Sequence, residues 1–167
     1  MAILVHSPIV AALISAPAFK TPATGAAEDA KMRFGTKIAV VVREDLATWQ
    51  KLNVVAFLAS AVAGGVPEVV GQPYQDGSDN RYLSMFRQPV LVHVADGAAL
   101  ARAHRRVLSR RLCAAVYTEE LFATDNDDDN RAAVAAVPAD RLNLVGLATY
   151  GPRAAVDRAL DGIQLHP

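Results

Sequence analysis

Residues 37–42, KIAVVV, constrain this chain more than any other stretch. From Ile38 to Val42 the run is apolar and mostly β-branched with no polar alternation, the pattern of a strand buried on both faces. Such a strand needs a helical layer above and below it, so the run selects an α/β architecture and places itself at the centre. From Leu46 the period changes. Leu46, Trp49, Val54, Phe57, Leu58, Ala61 and Val62 recur at helical spacing, and Gly64-Gly65 closes the segment. On that spacing Trp49 reads as a core aromatic in preference to the roof of a crevice. The turn Arg43-Glu44-Asp45 falls at the carboxyl end of the central strand, where open α/β sheets form their ligand crevices.

The remaining chain repeats this strand and helix alternation. Residues 66–88 hold two strand-like pieces, 68–70 and 82–85, around the turn signals Asp76-Gly77 and Asp79-Asn80, which predicts a β-ribbon. PVLVHV, opened by Pro89, is a second buried strand whose His93 reads as a core or edge histidine. Asp96 is placed to cap a helix over 97–111 with an apolar stripe of Leu100, Ala103, Val107 and Leu108. Its opposite face carries Arg102, Arg105, Arg106 and Arg110, read as a solvated basic face in preference to a phosphate-binding strip. Residues 113–117 form a third strand, with Cys113 as a small core residue. A fourth strand over 142–149 turns at Gly151-Pro152 into a last helix capped by Gly162, after which IQL closes the chain.

With 167 residues the chain suits one domain. Residues 1–33, whose apolar stretch runs into a Pro, Gly, Ala and Thr mixture, read as an extension, poorly ordered or surface-packed, and 34–167 as the single α/β domain. A secretory signal ending near Ser15-Ala16-Pro17-Ala18 is the rival reading of that extension, but its amino end lacks the positive charge of a signal. Hydrophobic residues make up 52% of the chain, yet no apolar run reaches the roughly 20 residues that span a bilayer. A lone cysteine suits a reducing compartment, so the expected location is the cytoplasm. Seventeen basic residues balance seventeen acidic ones, which leaves no global field for nucleic acid.

The acid run TDNDDDN invites a calcium reading, since Asp125, Asp127 and Asp129 alternate as in an EF-hand loop. Asn130 stands where that loop needs glycine and Ala136 where it needs the closing glutamate. A helix over 128–137 with acids in its first turn accounts for the same residues. No metal and no cofactor is expected.

Three segments carry a resemblance: the opening KIAVVVREDL, the helix WQKLNVVAFLA, and above all the ending LVGLATYGPRAAVDRALDGIQL. Over residues 37–165 the chain resembles an uncharacterised bacterial family, the domain of unknown function numbered two thousand. That family is similar in fold to the type II peptidyl-tRNA hydrolases. The resemblance implies a three-layer α/β/α domain whose mixed sheet has about four main strands, with a β-ribbon insertion. Of the hydrolase residues, the early helix lysine corresponds to Lys51 with a shift of register. The glutamine and histidine deeper in that helix are replaced by the apolar run 54–59, and the later acidic residue falls in an insert, 118–141, without a counterpart.

The candidate ligand residues are Asp45, Trp49, Gln50, Lys51 and Asn53 after the first strand, with Tyr117, Thr118, Thr149 and Tyr150 at the ends of the third and fourth, which share that crevice only if the strand directions bring those ends together. Asn53 interrupts an apolar helix face, so its amide either ties the turn to a strand or meets a ligand. Two function classes stay open. The preferred one is a non-catalytic domain that binds a small molecule or a protein partner, including a second copy of itself as a homodimer. The other is an enzyme acting on an acyl ester or amide, tRNA-linked in the hydrolase sense, with Lys51 and Asn53 in the site. It lacks an assembled general base. Contact with tRNA is expected to be weak at most, and no membrane association is expected.

Overall fold

The structure is a computed structural model and describes residues 34–167; the extension read over 1–33 lies outside the described residues. Strand β1 (Thr36–Arg43) leads into helix α1 (Thr48–Gly65), a 3₁₀ turn (Pro67–Val69), and the ribbon β2 (Tyr74–Gln75) and β3 (Arg81–Tyr82). Then come β4 (Val90–Ala95), α2 (Gly97–Ser109), β5 (Cys113–Thr118), a second 3₁₀ turn (Glu119–Ala123) and α3 (Asp127–Ala135). The described chain ends with β6 (Leu144–Pro152), α4 (Arg153–Ala159) and β7 (Gln164–Leu165).

The main sheet has five strands in the order β5-β6-β1-β4-β7, so β1 is its middle strand, as its unbroken apolar run requires. It pairs in parallel with β4 and antiparallel with β6. The sequence suggested about four main strands; the fifth is β7, two residues of IQL that pair with His93 and Val94 on the open edge of β4. Residues 38–42 are wholly buried. Their side chains alternate between two cores: Ile38, Val40 and Val42 meet Leu46, Val54, Leu58 and Val62 around α1, while Ala39 and Val41 meet Leu100, Ala103 and Val107 of α2 and Val156 and Ala159 of α4. The sheet is thus covered on both faces by helices.

Helix α1 lies hard against β6. A Cβ on Gly146 would run into Val54 Cγ1 and stand 2.9 Å from Leu58 Cδ1. The apolar run 54–59 therefore has a packing cause, since Val54, Leu58 and Val62 are the residues that press on the sheet. The outer side of the helix is apolar too, leaving Trp49 62% and Phe57 51% exposed. The expectation that Trp49 belongs to the core is corrected, because helical spacing cannot tell the inner stripe from the outer one when both are apolar.

Other local readings are corrected in the same way. Cys113 is exposed, because β5 is an edge strand and its first residues reach past the helices. In α2 the stripe is Leu100, Ala103, His104 and Val107, with Leu108 exposed, so a histidine takes the place assigned to a leucine. Residues 67–69 wind as a 3₁₀ turn instead of a strand, and only Val70 bridges to Phe86. Pro152 ends β6 and stands immediately before α4 as its cap. Asp96 does cap α2, accepting from Ala99 N at 2.6 Å, and Gly162 follows α4 with φ of +82°. The ribbon tip is closed by Asp76, whose carboxylate accepts from the Ser78 and Asn80 amides and the Tyr82 hydroxyl.

Some buried polar groups lack partners among the described residues: both ring nitrogens of His93 and the hydroxyls of Thr118 and Thr149. Burial lowers the His93 pKa, with the Lys37 ammonium adding to it, and burial likewise lowers that of His104. Protons bind these rings more readily in the unfolded chain. The stability this confers is present above the ordinary histidine value of about 6.5 and is lost as pH falls from there through the lowered folded values. Denaturant unfolding at pH 7.5 and pH 5 should show lower stability at pH 5, and His104→Asn should flatten the difference. Replacing Gly146 with alanine should cost roughly 1–3 kcal/mol in the same assay, the range for overpacking a tight core.

Candidate functional site

The carboxyl end of β1 is held by an arginine. The Arg43 side chain, 14% exposed, donates from Nε to Asp45 Oδ1 at 2.6 Å, from Nη1 to Asn143 Oδ1 at 3.2 Å and from Nη2 to Glu119 Oε2 at 2.9 Å. Asn143 Nδ2 completes the ring by donating to the same Glu119 oxygen at 3.1 Å. One guanidinium fork thereby joins the ends of β1 and β5 to the start of β6. Hydrogen bonding to Asp45 raises the Arg43 pKa, and the same bond holds the Asp45 carboxylate below its usual range. Asp45, a candidate ligand residue on sequence grounds, is thus engaged within the fold.

Helix α1 then distributes the other candidates. Gln50 folds back so that Oε1 accepts from the Ala47 amide at 3.0 Å, satisfying one of the free donors of the helix start. Lys51 lines an open groove of about 420 Å³ with Val42, Leu52, Val55, Val90, Val92 and the carboxyl-terminal residues, which offers it no carboxylate side chain or hydroxyl. Trp49 and Asn53 face elsewhere, towards the segment that follows β5.

There a second groove opens. About 380 Å³ in volume, it runs between α1 and residues 121–130, with Trp49, Asn53, Phe57, Tyr117 and Phe122 among its walls and Thr124, Asp125, Asn126 and Asn130 along its rim. A further 560 Å³ adjoins it across Phe57, Tyr117 and Leu121, lined beyond them by Val134 and Ala135 of α3. Both volumes lie within the range of small-molecule sites. The aromatic walls interlock: Trp49 meets Phe122 edge to face at 5.9 Å between centroids, Phe122 lies 5.2 Å from Tyr117, and Tyr117 meets Phe57 at 5.7 Å. Tyr117, at 5% exposed, is the floor; burial raises its pKa, so it presents a neutral hydroxyl.

Around this floor the rim is ordered by its own polar groups. Asn126 caps α3 by accepting from Asp129 N at 2.9 Å, Thr124 donates to Asn130, and Arg131 pairs with Asp127 and Asp128. The three acids of α3 occupy its first turn, where the helix dipole favours them. The half-buried Asn53 carboxamide has no hydrogen bond to another described residue, so of its two sequence-level roles the tie to a neighbouring strand is not made.

Residues 149 and 150 do not join this site. β6 runs antiparallel to β1, so Tyr150 pairs with Ile38 and Thr149 with Ala39, at the opposite edge of the sheet from Arg43. Thr118 lies beside the groove but is buried. The sequence marks Arg43 only as part of the crevice turn; Glu119 and Asn143 of the strand-end ring, and Phe57, Phe122 and Asn130 of the groove, are not among the candidate ligand residues. Phe57 is visible only as an aromatic at helical spacing, and Phe122 as a large aromatic between two acidic stretches.

The chain was compared with known proteins. A search of curated proteins found no match. The solved structure of the protein of unknown function Atu0240 from Agrobacterium tumefaciens str. C58 is similar, with 42% identity and a TM-score of 0.78, covering 81% of this chain and all of that one. The model of a family described as protein of unknown function (DUF2000) matches residues 36–167, and the chain belongs to that family.

Proposed function

We propose that this protein is a binding module, built on a scaffold like that of the type II peptidyl-tRNA hydrolases, whose groove between α1 and residues 121–130 takes a small flat ligand or a partner's side chain. The observation that carries this reading is the interlocked aromatic wall of Trp49, Phe122, Tyr117 and Phe57 beside the unpaired Asn53 amide. Aromatic faces supply stacking area, and one amide supplies direction, which together suit a ring bearing a hydrogen-bonding group.

The catalytic alternative draws less support. Lys51, the residue that the hydrolase resemblance singles out, faces the apolar groove on the other side of α1. Where those enzymes carry a polar pair this chain has the apolar run 54–59, within which Val54 and Leu58 hold α1 to Gly146. The basic face of α2 has two of its arginines turned onto main-chain carbonyls, Arg106 onto Asp161 and Arg110 onto Arg106, in keeping with a solvated helix face and no more than weak tRNA contact. No helix among the described residues is long and apolar enough to cross a membrane. An exposed, unpaired Cys113 fits a reducing cytoplasm.

Trp49 is the sole tryptophan of the chain, so its emission reports directly on the groove. A screen of small heteroaromatic amides should yield compounds that quench or shift that emission saturably. Asn53→Ala should weaken them about tenfold, the worth of one hydrogen bond, while Lys51→Ala should leave them unchanged. Turnover of peptidyl-tRNA by the purified protein, abolished by Lys51→Ala in a variant that stays folded, would overturn the binding reading.

A further inference from the structure

At the amino end of β1, on the far edge of the sheet from Arg43, lies a small pocket of about 190 Å³. Phe34, Thr36, Lys37, Gln88, Pro89, Leu91 and Arg153 line it. One of these two cations is taken out of water: the Lys37 side chain is only 9% exposed, at the head of the apolar run 38–42 of β1.

An ammonium carries three N–H donors. The Lys37 ammonium has one partner among the described residues, Asp157 Oδ1 at 3.0 Å, and that carboxylate is half in solvent. Burying a charge is costly unless it is both paired and hydrogen-bonded, so two free donors on a buried lysine mark a place where an acceptor is wanted. Arg153 is fixed at the same pocket from two directions, its amide donating to Gly35 O at 2.9 Å and its Nε to Phe34 O at 3.3 Å. The terminal guanidinium nitrogens have no partner among the described residues. Gln88, buried, accepts from Thr36 Oγ1 at 2.9 Å through its carbonyl oxygen, and its amide nitrogen is likewise without a partner among the described residues.

We propose that this pocket binds a small organic carboxylate, its oxygens held by Lys37, Gln88 and Arg153 and its short apolar tail lying against Phe34, Pro89 and Leu91. The charge count favours a carboxylate over a phosphate. Among the described residues, Lys37 and Arg153 together oppose the single negative charge of Asp157, which leaves one positive charge for the ligand to balance. A phosphate dianion would instead leave an excess negative charge beside apolar walls. The planar fork of arginine matches the two oxygens of a carboxylate. The volume corresponds to about six water molecules at their share of liquid volume, enough for an acid of a few carbons. The site is separate from the aromatic groove and does not rest on the function proposed for it.

The test is a titration of the full chain, labelled with ¹⁵N, with sodium acetate, propionate and butyrate at constant ionic strength. Chloride, inorganic phosphate and butyramide serve as controls. Saturable amide shifts centred on Lys37, Gln88 and Arg153 are expected with the acids, growing tighter from acetate to butyrate, and absent with chloride and butyramide. Arg153 is exposed, so Arg153→Ala should keep the native spectrum while weakening butyrate about tenfold or more, as the loss of a charged hydrogen-bond partner does. Shifts spread evenly over the surface, equal affinity in Arg153→Ala, or tighter saturable binding of phosphate than of butyrate would each overturn the assignment.

Discussion

Everything in this structure follows from burying β1 on both faces. Five consecutive side chains, 38–42, are removed from water, and because strand side chains alternate they point into two separate cores. Neither core can be closed by the sheet itself. Helix α1 supplies one lid, and α2 with α4 supplies the other. The tight seat of α1 on Gly146 fixes how that helix runs, and hence which of its residues face the strand ends. The aromatic groove is the by-product of that seating. Once Val54, Leu58 and Val62 are committed inward, Trp49, Asn53 and Phe57 are left on the flank that meets the segment after β5.

The aromatic groove lies near the carboxyl ends of the central strands, where α/β sheets commonly open crevices, and is displaced towards the edge strand β5. The Arg43 ring explains the displacement. By tying Asp45, Glu119 and Asn143 together, it fills the space directly above β1 with ion pairs and hydrogen bonds. The aromatic groove lies to one side of this ring, above Tyr117. The two ends of the sheet thus carry different chemistries. One is aromatic with amide rims, and the other is small, cationic and partly buried around Lys37.

Much of this was legible in the sequence because strand periodicity and turn chemistry are local. The run 38–42, the Asp96 cap, the Asp76-Gly77 ribbon and the succession of strands and helices along the chain could be read directly. What could not be read was direction and face. Thr149 and Tyr150 were grouped with Tyr117 because all stand near strand ends, and only the antiparallel pairing of β6 with β1 places them at the other edge. Trp49 was assigned to the core because α1 is apolar nearly all round, so its sequence does not reveal which stripe is covered. Lys51 and Asn53 are two positions apart, and on a helix that spacing points side chains to different flanks, a separation the resemblance to a hydrolase lysine obscured. The Arg43 ring draws on residues far apart in the chain, 43, 119 and 143, and no local pattern announces it.

The central claim is that the aromatic groove, and not the Lys51 side of α1, is where this protein meets its ligand. Soaking crystals of the protein in a set of small aromatic amides and solving each complex tests that claim most directly. The account predicts that the probes gather between Trp49 and Tyr117 with a hydrogen bond to the Asn53 carboxamide. Probes that collect in the groove beside Lys51, leaving the space between Trp49 and Tyr117 empty, would contradict it.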